Sequence, residues 1–219
     1  SGPALALPSW VGRKFLGFFD SITGGKQYVN ADGESLSAWD KPSDATLYAH
    51  WEANTYDVTF NANGGCYDND SSNTSFTQNI TYNSAFTASK VPSRAGYKFV
   101  GFYDAAEGGT QYVNTNGASV KNWDKPSDTT LYAHWEYSSY KITLEDDADL
   151  NSYHQKVYYV SANPSDSNIY TDQATSNALS NDTTNIPQKA GYIFDGYYTN
   201  YRSGAGKKVL GNNNGTLTY

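Results

Sequence analysis

Alternating apolar and polar side chains predict short strands along much of this chain. In Tyr56-Asp57-Val58-Thr59-Phe60 every second residue is large and apolar, which is the period of a strand with one buried face. A second such run at 76–82 follows a polar loop, so the two predict a hairpin. Three more strands are predicted at 97–103, 111–113 and 130–135. Gly101 interrupts the first of these and predicts a bulge or a close packing contact.

Two segments between these strands predict helical structure. Residues 84–91 suit a short helix that ends before Pro92, and 119–123 suit a helical turn before Pro126, whose ring cannot continue a helix. Together these elements predict a strand-dominated α+β fold, a small mixed sheet with one short helix.

The pattern is duplicated along the chain at a fixed offset. Leu47-Tyr48-Ala49-His50-Trp51-Glu52 recurs unchanged at 131–136, and the block around Trp39 recurs around Trp123. Roughly two thirds of the positions in 12–52 are identical 84 residues later, and such self-similarity indicates tandem structural repeats. A third, divergent copy follows, in which Tyr140-Lys141-Ile142-Thr143-Leu144 matches the strand at 56–60.

The phase of the repeat predicts three units of unequal completeness. Residues 1–55 form an incomplete first repeat without the opening hairpin, and 56–139 form a complete one. Residues 140–219 form a divergent third repeat without the closing strand. The joins around Asn54 and Ser138 are short and contain no proline-rich or charged linker, so we expect little movement between neighbours and an elongated arrangement.

Composition narrows the class of protein. Tyr, with 20 residues, and an aromatic content of 16 % favour strands. The 15 basic residues are scattered among 22 acidic ones, so a nucleic-acid partner is not expected. No apolar run is long enough to cross a membrane, and membrane insertion is not expected. The chain has a single cysteine, Cys66, so it cannot form an intrachain disulfide. The lack of disulfides is more typical of a bacterial surface protein than of a small secreted animal domain.

Three motifs in this order resemble the Listeria–Bacteroides repeat, also called the internalin B-repeat. They are the Tyr-x-Val-Thr-Phe opening with Gly64-Gly65, the central Gly-Tyr-x-Phe-x-Gly-Phe-Tyr block at 96–103, and the closing Thr-Leu-Tyr-Ala-x-Trp strand at 130–135. The resemblance implies tandem β-grasp-like units in secreted or wall-attached bacterial proteins, acting as stalks, spacers or adhesion modules. It implies no catalytic residue, and we expect no enzyme activity and no cofactor.

Candidate binding residues are few. In the closing strands, Tyr48, His50, Tyr132 and His134 lie on the face opposite the leucine and tryptophan, so they are candidates for facing a ligand. Exposed Tyr and Trp leave carbohydrate binding as the alternative function, with a host protein or a glycan as partner. Equivalent histidines in successive repeats are too far apart to share a metal, and no metal site is expected.

Two further features are held as open alternatives. The Asp68–Asn73 segment is rich in oxygen ligands but lacks the glycine and glutamate of a calcium-binding EF-hand loop, so a solvated polar loop is favoured over a looser calcium site. Lys14 and Lys98 occupy matching positions from which an internal cross-link is conceivable. The incomplete terminal repeats also predict head-to-tail self-association. The first repeat lacks the opening hairpin that the third repeat has, and the third lacks the closing strand that the first has.

Overall fold

A computed structural model describes residues 5–146, 154–166, 168–178, 196–198, 208–213 and 216–218. Most of the chain as far as Trp135 forms one compact unit, and Gly96–Lys98 together with residues from Glu136 onward form another. In the described part of the chain no helix is long and apolar enough to span a membrane.

The first repeat is a three-stranded antiparallel sheet. Its strands are β1 (Arg13–Phe19), β2 (Gln27–Val29) and β3 (Tyr48–Ala53), and β1 lies between the other two. The register of β1 against β3 shifts between Phe15 and Gly17. A Cβ at Gly17 would lie 2.2 Å from the Val29 carbonyl oxygen, so only glycine fits this bulge.

The second repeat contains the same three-stranded arrangement and two additional strands. These five strands are β4 (Thr55–Asn61), β5 (Ser75–Thr81), β6 (Tyr97–Tyr103), β7 (Gln111–Val113) and β8 (Thr129–Tyr137). They form one sheet in the order β5-β4-β8-β6-β7. The β4–β5 hairpin is antiparallel, whereas β4 and β8 are parallel. All five strands were predicted from sequence to within two residues at either end. The close contact predicted at Gly101 is confirmed, because a Cβ there would lie 2.3 Å from the Val113 carbonyl oxygen.

The second repeat has a continuous aromatic and aliphatic core. The side chains of Val58 and Phe60 from β4, Phe102 from β6, Leu131 from β8 and Trp123 are fully buried. Phe60 stacks on Phe76 with ring centroids 4.8 Å apart and meets Phe102 edge to face at 5.0 Å. Because an aromatic residue buries 150–250 Å², a few of them suffice to stabilise a unit of this size.

The α+β prediction is wrong, because the described residues contain strands, turns and extended segments and no helix. The predicted helix at 84–91 is extended and pairs with 117–119. The Ser119 amide donates to the Phe86 carbonyl at 2.9 Å, and the Ala88 amide donates to the Gly117 carbonyl at 2.8 Å. The helical turn predicted at 119–123 is also absent, because its two ends pair with the same segment: the Ser119 amide donates to Phe86 and the Trp123 amide donates to the Ser84 carbonyl. The helix that a β-grasp-like fold implies is therefore absent from the described part.

Side-chain burial explains why 84–91 is extended. Phe86 and Ala88 face the core while Ala85, Thr87 and Ser89 are exposed, a period of two that a helix cannot satisfy. Asn83, in the left-handed conformation with φ of 58°, turns the chain into this segment. The core contacts of Phe86, which meets Trp123 at 5.9 Å, override any local helical preference.

The third repeat is described in part. Its strands are β9 (Ser139–Asp146), β10 (His154–Ser161), β11 (Ile169–Tyr170), β12 (Gly196–Tyr198), β13 (Lys208–Asn213) and β14 (Thr216–Thr218). They form two antiparallel three-stranded sheets, β11-β10-β9 and β12-β13-β14. Most of the central block that was predicted at 191–198 lies outside the described residues.

Candidate functional site

The two candidate histidines occupy the same structural position in successive repeats. His50 donates from Nε2 to the Ser21 carbonyl at 2.8 Å and stacks on Phe19 at 4.0 Å. His134 likewise donates to the Ala105 carbonyl at 2.9 Å and stacks on Tyr103 at 3.9 Å. Each ring thus holds the loop that follows the first long strand of its three-stranded sheet. Tyr48 is 37 % exposed, and its counterpart Tyr132 is half-buried. A ligand-facing role for these four residues stays a prediction.

A polar cluster beside each sheet also recurs in both repeats. In the first repeat Lys41 Nζ lies 2.6 Å from Asp20 Oδ2, and the Tyr28 hydroxyl donates to Asp40. In the second repeat the equivalent Lys125–Asp104 pair is 3.0 Å apart, and Tyr112 donates to Asp124 at 2.5 Å. The lysine of each pair also approaches the tyrosine ring, at 5.6 and 5.7 Å from its centroid. The aspartate and lysine of the repeated Trp-Asp-Lys-Pro block thus take part in this cluster in both repeats.

The cluster holds its carboxylates ionised. The Lys26 ammonium and the Tyr28 hydroxyl lower the pKa of Asp40 to about 2, and the hydrogen bond from Lys41 lowers the pKa of Asp20. The bond to Asp40 also raises the pKa of the Tyr28 hydroxyl, since ionisation would place two negative charges together. These pKa shifts are those expected of a network of ion pairs. None of them brings the pKa of its group close to neutral pH, as proton transfer would require.

A different lysine completes the cluster in each repeat. In the first, Lys26 pairs with Asp40 at 2.6 Å; in the second, Thr110 replaces that lysine, and Lys121 pairs with Asp124 at 2.6 Å. The position equivalent to Lys121 in the first repeat is Ser37. The charge of Asp40, and that of its counterpart Asp124, is thus paired with a lysine from a different sequence position in each repeat.

A single residue joins the first repeat to the second. The Asn54 amide donates to the Gly12 carbonyl of the first repeat at 2.9 Å, and the Asn54 carbonyl accepts from the Tyr82 amide of the second at 2.8 Å. A Cβ on Gly12 would lie 2.3 Å from the Tyr82 ring, so the two repeats touch at this glycine. We refer to Gly12, Asn54 and Tyr82 as the junction clip.

The same backbone bonds recur at the next join. The Ser138 amide donates to the Gly96 carbonyl at 2.8 Å, and the Ala162 amide donates to the Ser138 carbonyl at 2.7 Å. Gly12 and Gly96 both have a positive φ, 70° and 80°, which favours glycine at that position. Asn54 and Ser138 differ in side chain but make the same backbone bonds, so the sequence located both joins without revealing these bonds.

The first repeat has an uncovered sheet face. Trp39 is 53 % exposed, whereas its counterpart Trp123 is 0 % exposed. Phe18 and Leu47 are half-buried, whereas Phe102 and Leu131 are fully buried. In the second repeat the β4–β5 hairpin supplies the missing cover, because Val58, Phe60 and Ile80 belong to the same core.

The Asp68–Asn73 loop is a folded turn. Asp68 Oδ2 lies 2.5 Å from Lys90 Nζ, and Asp70 Oδ1 accepts from the amide and hydroxyl of Ser72 at 2.9 and 2.7 Å. Across the residues whose placement is described, His, Cys, Asp and Glu side chains form no group of three that could hold a metal.

In its described part, the geometry defines a class of protein, a tandem array of all-β repeats in which recurring polar side chains stabilise loops and backbone bonds form the joins. Residues 56–134 match the model of the Listeria-Bacteroides repeat domain. The second repeat is therefore similar to the Listeria-Bacteroides repeat domain, and the resemblance inferred from its motifs is confirmed.

Three relatives show where similar segments occur. Internalin H of Listeria monocytogenes is 31 % identical over 128 residues, which covers 58 % of this chain and 20 % of the relative. A putative Gly-rich membrane protein of Evansella cellulosilytica is 32 % identical over 105 residues, 47 % of this chain and 11 % of the relative. A putative membrane protein of the same organism is 30 % identical over 145 residues, 62 % and 18 %. The chain thus spans a fifth or less of these relatives, and no solved structure matches it.

Proposed function

We propose that this chain is a non-catalytic repeat segment of a secreted or cell-wall-attached bacterial surface protein, and that it acts as a spacer. The observation that carries the proposal is the junction clip. A spacer must transmit position from one repeat to the next, and Asn54 hydrogen-bonds to both neighbours through its backbone. The names of the relatives, an internalin and two putative membrane proteins, support the surface location.

The polar groups support a structural role. A nucleophile or general base needs a free functional group beside a pocket, whereas the repeated Asp, Lys and Tyr side chains saturate one another in ion pairs and hydrogen bonds. The histidines are engaged with backbone carbonyls. Side chains used in this way stabilise loops, which is consistent with a spacer.

The aromatic surface favours a spacer over a carbohydrate-binding module. A sugar site built on the repeat would present the same aromatic face in each copy. Trp39 and Tyr48 are exposed in the first repeat, but Trp123 is buried and Tyr132 is half-buried in the complete one. The exposure of Trp39 therefore follows from the uncovered sheet face, and Tyr48, on the opposite face, has a half-buried counterpart in the complete repeat. Specific binding on a glycan array that is lost in Tyr132→Ala would instead support the carbohydrate-binding alternative.

Backbone ¹⁵N relaxation on the intact chain tests the spacer proposal. The amides of the first and second repeats are expected to report one shared rotational correlation time. A flexible Gly-Ser segment inserted between Asn54 and Thr55 should separate the two values. The same insertion between Gly24 and Gly25, a loop where a Cβ on Gly24 would meet nothing within 4 Å, serves as the control. Independent tumbling of the two repeats in the unmodified chain would contradict the proposal.

A further inference from the structure

Two tyrosines face each other beside the join around Ser138. Tyr97 is the first residue of β6 and Tyr137 is the last residue of β8, and these strands are neighbours in the five-stranded sheet. Their rings stack with centroids 4.6 Å apart and planes inclined by 28°. The equivalent positions in the first repeat, Arg13 and Ala53, lie directly opposite each other in the pairing of β1 with β3. The two tyrosines are therefore a cross-strand pair, whose side chains are held in contact by the sheet.

The geometry of this pair suits a coupling reaction between tyrosine rings. A phenol that loses one electron and one proton becomes a phenoxyl radical, whose unpaired electron is shared with the ring carbons beside the hydroxyl. Two such radicals can join through these carbons when the rings lie face to face. The stack of Tyr97 and Tyr137 presents the rings in this way. Tyr56 and Tyr82 do not, because they meet edge to face at 75° with centroids 6.4 Å apart.

The pair is also within reach of an oxidant in solution. Tyr137 is 38 % exposed and Tyr97 is half-buried. The partial burial holds the rings in place, while the exposed part of Tyr137 can give up its electron to a molecule at the surface. Tyr67 and Tyr112, by contrast, are 1 % and 2 % exposed, and the core shields them from such contact.

A bond between these rings would act at the join itself. Gly96 precedes Tyr97 and Ser138 follows Tyr137, and the Ser138 amide donates to the Gly96 carbonyl at 2.8 Å. The bond would close the chain between residues 97 and 137 into a covalent loop at this point. Because such a loop restricts the unfolded chain, it would stabilise the join against opening. The equivalent Arg13 and Ala53 cannot couple, so the effect would be confined to the second of the two joins.

We propose that Tyr97 and Tyr137 are an oxidative cross-linking site, at which a one-electron oxidant, a haem peroxidase supplied with hydrogen peroxide, joins the two rings as dityrosine. Each phenol gives one electron and one proton to the oxidant, and one peroxide is thereby reduced to two molecules of water. A carbon–carbon bond forms between ring carbons beside the hydroxyls, and the hydrogen on each of these carbons moves to the oxygen and restores the phenol. The availability of such an oxidant rests on the proposed surface location, whereas the reaction itself rests on the ring geometry alone.

Oxidation of the intact chain at low concentration by hydrogen peroxide and a haem peroxidase tests the site. The monomeric product, isolated by gel filtration, should show dityrosine fluorescence and a mass lower by two hydrogen atoms, and peptide mapping should link Tyr97 to Tyr137. Tyr137→Phe keeps a ring in the stack but removes the phenol, so it should abolish this product. Tyr82→Phe, in the edge-to-face pair, should leave it unchanged. Coupling only between molecules, a different linkage within the monomer, or equal losses in both variants would overturn the proposal.

The first join allows a gain-of-function test of the cross-strand position. Arg13→Tyr combined with Ala53→Tyr places two tyrosines where the sheet holds equivalent residues opposite each other. The monomeric product should then lose four hydrogen atoms, and its second linkage should connect positions 13 and 53. A double variant with an unchanged circular dichroism spectrum that forms no second linkage would overturn the proposal, because the cross-strand position would then not determine coupling. Neither experiment measures the movement of one repeat against the next, so a negative result would leave the spacer proposal intact.

Discussion

Trp39 and Trp123 stand at the same position of consecutive repeats, yet one is 53 % and the other 0 % exposed. Both rings lie at similar distances from the repeat tyrosine, 5.3 Å from Tyr28 and 5.3 Å from Tyr112. Their local contacts are therefore alike, and the difference comes from the β4–β5 hairpin and Phe86, which cover only the second ring. This matched pair makes the contribution of the hairpin measurable.

Replacing each tryptophan by alanine should separate core packing from local contact. Trp123→Ala should lower the free energy of unfolding by about 3–5 kcal/mol, because it opens a large cavity in a closed core. Trp39→Ala should cost less than about 1 kcal/mol, because about half of the residue is already exposed to water. Urea unfolding followed by circular dichroism measures both. Equal losses would contradict the assignment of Trp39 to an uncovered face.

The two junction glycines should differ in their tolerance of a side chain. Gly12→Ala places a Cβ 2.3 Å from the Tyr82 ring in addition to the positive φ, whereas Gly96→Ala meets only Ala162 Cβ at 3.6 Å. The strain of the positive φ, about 1–2 kcal/mol, is common to both, and overpacking adds about 1–3 kcal/mol for Gly12→Ala alone. The difference in unfolding free energy between the variants measures the contact at the clip.

Lysines at different positions pair with the equivalent aspartates of the two repeats, and this difference allows a rescue experiment. Lys26→Thr removes the partner that lowers the pKa of Asp40 most, so this pKa should rise from about 2 toward its ordinary value of 3.8. Adding Ser37→Lys reproduces the arrangement of the second repeat, in which Lys121 pairs with Asp124. The pKa of Asp40 should then fall again. Titration of the Asp40 carboxyl carbon by NMR follows both changes, and a pKa that Ser37→Lys leaves unchanged would contradict the structural equivalence.

Acid should destabilise the chain through the same cluster. The pKa of Asp40 is lower in the folded chain, about 2, than its ordinary value of 3.8, so the folded state binds a proton less readily than the unfolded state. The resulting stability is complete above about pH 4–5 and is lost as the pH falls toward 2. Asp40→Asn should make the decline of the urea midpoint over this range shallower. Asp32→Asn, which changes an exposed acid outside the ion pairs of the described residues, should leave the decline unchanged.

The strands were predictable because their signal is local, and the extended segment at 84–91 was not. Alternation in 55–61 and 97–103 follows from one buried sheet face, and sequence alone displays it. In 84–91 the buried positions are held by a phenylalanine and an alanine among small polar residues. Their period of two becomes visible only when 117–119 lies alongside. Tertiary pairing decided this segment, which local propensity could not anticipate.

The duplication did not indicate what the repeated polar residues do. Asp40 and Lys41 lie in the duplicated Trp-Asp-Lys-Pro block, but the sequence did not select them as candidate functional residues. Their pairing across the loop required coordinates. The sequence placed Asn54 and Ser138 at the joins, but not their hydrogen bonds, because these use backbone atoms, which any residue other than proline supplies. The histidines attracted attention through their side-chain chemistry, although both serve to hold a loop.

The central claim is that the first repeat has the structure of the second repeat but lacks the opening hairpin. Amide hydrogen exchange on the intact chain, measured by NMR at low concentration, tests this claim most directly. Residues 129–132 pair with β4, so their amides should exchange much more slowly as a group than those of 45–48, the same positions one repeat earlier. Protection of 45–48 equal to that of 129–132 in dilute solution would contradict the account, because it would mean that this edge is already covered within a single molecule.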